Sequence, residues 1–162
     1  MINICVNVWK RFSSLTRAPR GSANGITKIS EEVEMKNVLL RAGDQLKVQG
    51  KIHADAKRFQ IDLGSSELAL HFNPCFYDDN ANTAVLVCNS QSGGIWDQEQ
   101  RDTPNPFQPG STFKVVVKHT GKVFEVKLPD EQATELPSRQ GVEVISSIHV
   151  KGDISLTAFK MY

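Results

Sequence analysis

Alternation of apolar and polar residues is the feature of this sequence that most limits its fold. It is clearest in residues 46–52, 59–63 and 124–128, where nearly every second side chain is apolar. A period of two puts one face of a β-strand against a core and the other face in water. No stretch of the chain carries the apolar stripe of an amphipathic helix. We therefore predict an all-β protein.

Further runs of β-forming residues follow at similar spacing. They cover residues 68–72, 84–88, 113–118, 142–148 and 154–159, and Gly, Pro, Asp and Asn lie between them as turns require. Some eight to eleven short strands at hairpin spacing are typical of a β-sandwich or jelly roll. A chain of 162 residues can bury such a core without disulfides or a metal.

The first 30 residues differ in composition from the rest. They contain five basic residues and no acidic one, and they are rich in Ser, Asn and Gly. This composition fits a mitochondrial transit peptide or a disordered extension. Lys10 and Arg11 interrupt the apolar stretch that a secretory signal needs. We predict a basic N-terminal extension over residues 1–33 and one folded domain over residues 34–162.

The overall composition disfavours several classes of function. Lys and Arg total 19 and Asp and Glu total 18, so the chain lacks the basic excess of a nucleic-acid-binding protein. No apolar run approaches the roughly 18 residues of a membrane span, so we expect no membrane insertion. The three cysteines are too few and too scattered for a disulfide scaffold or a zinc site. We expect no metal and no cofactor.

Polar side chains cluster on one predicted strand and on the segments that follow it. In the run HFNPCF, the strand period turns His71, Asn73 and Cys75 to one face. The other members of the cluster come later in the chain: Asn89, Trp96, Glu99 and Arg101.

This combination of an imidazole, two carboxamides, an indole and a carboxylate–guanidinium pair suits a pyranose. Sugar hydroxyls both donate and accept hydrogen bonds, and the apolar C–H face of the ring can lie on an indole. From the residues alone, the alternative is a solvated His71 and a Trp96 that belongs to the core.

Several motifs in order carry a resemblance to the galectin family. HFNPCF is followed by VCNS, GGIWDQEQR and PFQPG, and the similarity covers roughly residues 35–162. The sequence most resembles the single-domain, prototype galectins. The resemblance implies a two-sheet antiparallel jelly-roll sandwich of about 10–11 strands, whose concave sheet binds β-galactosides of the lactose and N-acetyllactosamine type without a metal.

The resemblance also implies a role for each polar residue. The implied sugar contacts are His71, Asn73, Asn89, Trp96, Glu99 and Arg101. The first two would read the axial hydroxyl that distinguishes galactose from glucose, and the tryptophan would stack on the apolar face of galactose. Asn89 and Glu99 would take the 6-hydroxyl and its neighbours. Arg101 would pair with Glu99 and reach the second sugar.

Two positions depart from the family pattern. Cys75 stands where the family has an arginine, and Asp97 stands where a glycine usually follows the tryptophan. An arginine would offer planar donors to the 4-hydroxyl and to the adjoining sugar, whereas a thiol is a weak donor on a short stem. Loss of a charged hydrogen bond costs about 1.5–3 kcal/mol. The resemblance therefore implies sugar binding that is weakened or retuned by Cys75.

Two hypotheses stay open at this point. One is a lectin for glycans and glycoproteins that carry β-galactosides. The other is a sugar-silent protein of the same fold with a structural or protein-interaction role. An enzyme is disfavoured, because Cys75 and His71 are four residues apart on one strand, roughly 13 Å, which is too far for a nucleophile and its base.

The resemblance implies two properties of the whole protein. It implies a homodimer formed through the terminal strands, where residues 154–159 alternate. It also implies a cytoplasmic and extracellular location, with export that does not use a secretory signal. The strand period further predicts that Cys75 and Cys88 face opposite sides of the sheet and form no disulfide, with Cys75 exposed and Cys88 buried.

Overall fold

The computed structural model of the protein describes residues 31–78, 83–102, 105–139 and 141–162. These residues form twelve β-strands. The strands are β1 (Glu31–Arg41), β2 (Gln45–Ile52), β3 (Phe59–Gly64), β4 (Leu68–Asp78), β5 (Thr83–Ser92), β6 (Ile95–Trp96), β7 (Gln100–Asp102), β8 (Thr112–His119), β9 (Val123–Lys127), β10 (Ala133–Pro137), β11 (Val144–Gly152) and β12 (Ile154–Met161). The described ranges hold no helix long and apolar enough to cross a membrane.

Two antiparallel sheets enclose one hydrophobic core. The seven-stranded sheet has the order β1-β11-β3-β4-β5-β6, and β7 also pairs with β5. The five-stranded sheet has the order β10-β9-β8-β2-β12. The predicted two-sheet sandwich is confirmed, with twelve strands in the described ranges instead of about 10–11.

The first strand begins before the predicted domain boundary. β1 starts at Glu31, and its first three residues pair with the end of β11. The Glu31 carboxylate also accepts a hydrogen bond of 2.6 Å from the backbone N–H of Leu156 in β12. The boundary at residue 34 therefore falls inside a paired strand. Residues 1–30 of the predicted extension lie outside the described residues.

The core is built around phenylalanines contributed by strands and by one loop. Phe59 of β3 lies with its ring centroid 4.9 Å from that of Phe113 in β8 and 5.4 Å from that of Phe107. Phe107 belongs to the PFQPG motif and is only 2% exposed. Burial of one such side chain contributes about 1.5–3 kcal/mol. Phe107 thus fixes the loop that carries the motif between the two sheets.

The two faces of the seven-stranded sheet differ in burial. In β3, Phe59, Ile61 and Leu63 are buried in the core, while Gln60 and Asp62 between them are partly exposed. The second set points away from the five-stranded sheet. We call this side of the seven-stranded sheet the outer face.

Candidate functional site

The register of β4 on β5 places the predicted polar residues on the outer face. His71 pairs with Asn89, Asn73 with Val87, and Cys75 with Val85. Residues directly opposite each other in an antiparallel pair share a face. The strand period and the pairing therefore bring these side chains together, as the sequence predicts.

His71 is held in a fixed orientation by the neighbouring strand. It pairs with Asp62 of β3, and its Nδ1 lies 2.6 Å from the Asp62 carboxylate. A carboxylate only accepts hydrogen bonds, so Nδ1 carries the proton. The Nε2 atom is then an acceptor in the neutral ring, available to a ligand hydroxyl. Gln60 donates to the other Asp62 oxygen at 2.5 Å and completes the support.

Asn73 presents an acceptor that lacks a donor. Its Oδ1 is buried and has no hydrogen-bond partner among the described residues. An unpaired buried acceptor costs about 1–3 kcal/mol. A ligand hydroxyl at this point would remove that cost, so the atom is suited to binding.

Trp96 forms a wall beside His71. The turn Gly93–Gly94 has positive φ at both residues, 58° and 76°, which glycine adopts without strain. It returns the chain so that Trp96 pairs with Gln91 on the outer face. The indole is 51% exposed, and its ring centroid lies 5.1 Å from that of His71 at an interplanar angle of 60°.

Glu99 and Arg101 form an ion pair at the edge of the same face. The Arg101 Nε donates to the Glu99 carboxylate, and both side chains are 40% exposed. Arg101 lies opposite Val87, which is itself opposite Asn73. The pair therefore extends the row from Asn73 across β5 to β7.

Asn89 lies on the predicted face but is only 5% exposed. Its Oδ1 accepts from the backbone N–H of Ser90 at 2.8 Å and from Arg139 Nη1 at 3.1 Å. Its Nδ2 donates to the Asp97 carbonyl at 3.0 Å. The carboxamide thus braces the segment that follows Trp96.

Arg139 is a member of the site that the sequence does not single out. Besides Asn89 it donates to Ser90 Oγ at 3.1 Å and to the Gln98 carbonyl at 2.7 Å. These three partners lie 41 to 50 residues away in sequence, so no local motif marks the residue. The guanidinium ties the end of β5 to the segment that carries Trp96.

Asp97 takes part in the same network. Its Oδ2 accepts from Ser90 Oγ at 2.9 Å, and its backbone N–H donates to the Ser90 carbonyl at 2.9 Å. This residue, one of the two departures from the galectin pattern, therefore adds a side-chain contact to the bracing of the Trp96 segment.

Cys75 and Cys88 are thiols in different environments and are not joined in a disulfide. Cys75 is half-buried on the outer face, with Sγ 3.8 Å from the Asn73 carbonyl. Cys88 faces the core, and burial, with a smaller contribution from the Asp102 charge, raises the pKa of its thiol to about 12. The opposite facing of the two thiols agrees with the strand period.

Among residues 31–78, 83–102, 105–139 and 141–162, no group of three or more His, Cys, Asp or Glu could hold a metal ion. A cavity of about 520 Å³ lies beside His71, on the side of Asp62 and His149.

Taken together, the residues described above make the outer face an open polar surface with one aromatic wall, Trp96. Such a surface can form hydrogen bonds with a polyhydroxylated ligand.

Comparison with known proteins agrees with this geometry. The family model for galactoside-binding lectins matches residues 32–161. Galectin-1 of Ovis aries is 39% identical over 122 residues, which cover 74% of this chain and 90% of that protein.

Two solved structures are also similar. CG-16, a homodimeric agglutinin from chicken liver, is 35% identical with a TM-score of 0.75, over 82% of this chain and 100% of that one. Lactose- and MES-liganded congerin II is 29% identical with a TM-score of 0.76, over the same shares of the two chains, 82% and 100%. The chain belongs to the galectin family, a family of β-galactoside-binding lectins and not of enzymes.

Proposed function

We propose that the protein binds glycans of the lactose and N-acetyllactosamine type on its outer face, with an affinity lowered by Cys75. The observation that carries the proposal is the pair of unused acceptors, His71 Nε2 and Asn73 Oδ1, beside the exposed indole of Trp96. Hydroxyl groups on one edge of a sugar ring and apolar C–H groups on its face match these two elements.

Galactose fits the row because its 4-hydroxyl is axial. The imidazole and the Asn73 carboxamide lie on one strand, two residues apart, and point to the same side. An axial hydroxyl can meet both, while the opposite face of the ring lies on the indole. In this proposal Asn89 and Glu99 contact the 6-hydroxyl and its neighbours, and Arg101 reaches the second sugar.

Lactose affinity chromatography tests the proposal directly. We expect the protein to be retained or retarded on immobilised lactose, eluted by soluble lactose, and not eluted by cellobiose, whose terminal 4-hydroxyl is equatorial. Trp96→Ala should pass through the column while remaining folded. Passage of the wild-type protein at every loading, with no effect of lactose, would favour the sugar-silent alternative.

The proposal includes a homodimer that presents two sites to glycoproteins. β1 and β12 are edge strands of the two sheets and adjoin each other through the contact between Glu31 and Leu156. Leu156, Phe159 and Met161 of β12 are only partly buried. A two-fold contact along this edge would make the protein bivalent. Sedimentation at micromolar concentration should give about twice 18.0 kDa, and a single 18.0 kDa species would contradict the dimer.

A cytoplasmic and extracellular location is part of the same proposal. It accords with family membership and with glycoproteins as partners. Detection of the tagged full-length protein in both culture medium and cytosol would support it, and confinement to another compartment would contradict it.

A further inference from the structure

An arginine lies directly across from Cys75 on the neighbouring strand. Arg58 precedes β3 and forms an isolated antiparallel bridge with Cys75 of β4. It continues the ladder in which Asp62 pairs with His71. Arg58 and Asp62 are four residues apart along the strand, so both belong to the outer face.

The bridge between Arg58 and Cys75 is a non-hydrogen-bonded pair, the type of antiparallel pair in which side chains lie closest. The backbone N–H of Phe76 donates to the Lys57 carbonyl at 2.9 Å, so the hydrogen bond joins the neighbours of Arg58 and Cys75. This arrangement defines a non-hydrogen-bonded pair, in which Cα atoms approach to about 4.5 Å. The stem of Arg58 therefore starts beside the short Cys75 side chain.

Both backbones at this point are fixed. The Arg58 carbonyl accepts from the backbone N–H of Asp153 at 3.1 Å, and the Asp153 carboxylate accepts from the Lys57 N–H at 2.9 Å. On the other strand, the Cys75 carbonyl accepts from Asn105 Nδ2 at 3.1 Å. The position from which the Arg58 side chain extends is thus determined by the fold.

The guanidinium of Arg58 differs from the two others at this face. Arg101 is paired with Glu99, and Arg139 is engaged by three acceptors. Arg58 is exposed, and within the described ranges no hydrogen bond or ion pair engages its guanidinium. Its five N–H donors can therefore serve a ligand.

We propose that Arg58 supplies, from the neighbouring strand, the guanidinium that position 75 lacks, and so determines the affinity and specificity of this site for galactosides. The inference rests on the proposed function. The Arg58 side chain is long enough to extend over Cys75 towards the Asn73 carboxamide, where its planar donors would meet the sugar hydroxyls. An arginine at position 75 would carry the same charge from the adjacent position.

A double-mutant cycle tests whether Arg58 fulfils the role that an arginine at position 75 would have. Lactose affinity is measured by titration for the wild type, Arg58→Gln, Cys75→Arg and the double variant Arg58→Gln/Cys75→Arg. Loss of a charged hydrogen bond predicts that Arg58→Gln weakens binding by roughly tenfold or more. In the Cys75→Arg background the same change should alter affinity by less than about threefold, since the new arginine takes over. Arg41→Gln, an exposed arginine at the end of β1, is the matched control and should change nothing.

Each result decides the proposal. Equal losses from Arg58→Gln in both backgrounds would indicate a general charge effect and overturn it. Equal lactose affinities of the wild type and Arg58→Gln, while Trp96→Ala abolishes binding, would refute the role of Arg58 and leave the lectin function intact. Lactose binding by Cys75→Arg together with no detectable binding by the wild type would show that Arg58 does not compensate for Cys75. Absence of binding in all four proteins, with folding confirmed by circular dichroism, would remove both proposals.

Discussion

At the scale of residues, Cys75 and Cys88 show that the side of the sheet to which a thiol points determines its reactivity. Cys75 and Cys88 belong to adjacent strands, but one lies half-buried on the outer face and the other is 1% exposed in the core. Burial raises the Cys88 pKa from 9.0 to about 12, so the folded state favours the neutral thiol. The stability that depends on the neutral Cys88 thiol is therefore fully present below pH 9.0. It is lost as the pH rises towards 12, because the thiol of the unfolded chain ionises before that of the folded protein.

Thiol labelling at pH 8 should therefore distinguish the two cysteines. We expect iodoacetamide to modify Cys75 in the native protein and to leave Cys88 unmodified until urea is added, because the thiolate is the reactive form. Peptide mass spectrometry separates both from Cys5. Comparable native labelling rates for Cys75 and Cys88 would contradict the described facing of β4 and β5.

At the scale of elements, the regular strands could be predicted and the irregular ones could not. β2, β3 and β9 alternate in burial, and these three strands and β8 follow the predicted limits within a residue or two. β1 lies outside every predicted run, because a register shift between Lys36 and Leu40 breaks its period and Asn37 has a positive φ of 59°. β10 is a short edge strand that ends in Pro137, which edges tolerate but central strands do not.

The residues of the candidate site also fall into those that the sequence predicts and those that it does not. Residues on one strand, such as His71 and Asn73, are brought together by a period that is visible in the sequence. Arg139 and Arg58 reach the site from distant segments, through a loop and through a register across two strands. Only tertiary pairing places them, so no local pattern could have revealed either.

Removal of Arg139 should loosen the segment that carries Trp96. Arg139→Ala deletes three charged hydrogen bonds, and we expect lactose affinity to fall roughly tenfold or more. In a Trp9→Phe background, Trp96 is the sole tryptophan, and its fluorescence should become more accessible to acrylamide. Arg41→Ala is the matched control. Unchanged lactose affinity and unchanged acrylamide quenching would show that the Trp96 segment keeps its position without Arg139.

At the scale of the whole molecule, the charge of the chain is divided between two parts. The five basic residues of the first 30 are offset by an acidic excess in the remainder, which gives a net charge of +1. Pairing of β1 with β11 starts at Glu31, and the match to galactoside-binding lectins starts at residue 32. We therefore expect the stability of the sandwich to reside in the part that begins at Glu31.

Truncation tests this expectation. Removal of residues 1–30 should leave the melting temperature within a few degrees of the full-length value. Removal of residues 1–36 is the contrasting change, because it deletes the paired segment from Glu31 to Lys36 and should lower the melting temperature clearly. A large decrease on removal of residues 1–30 alone would mean that this segment packs on the domain.

Lactose titration of the full-length protein, followed by amide chemical shifts, tests the central claim most directly. We predict saturable shifts confined to the outer face around His71, Asn73 and Trp96, with a dissociation constant in the millimolar range or tighter, about −4 kcal/mol or more favourable. Cellobiose should produce no such shifts, and neither should lactose added to folded Trp96→Ala. A folded wild-type protein whose outer-face amides do not respond to lactose at any concentration, or respond equally to cellobiose, would contradict the account.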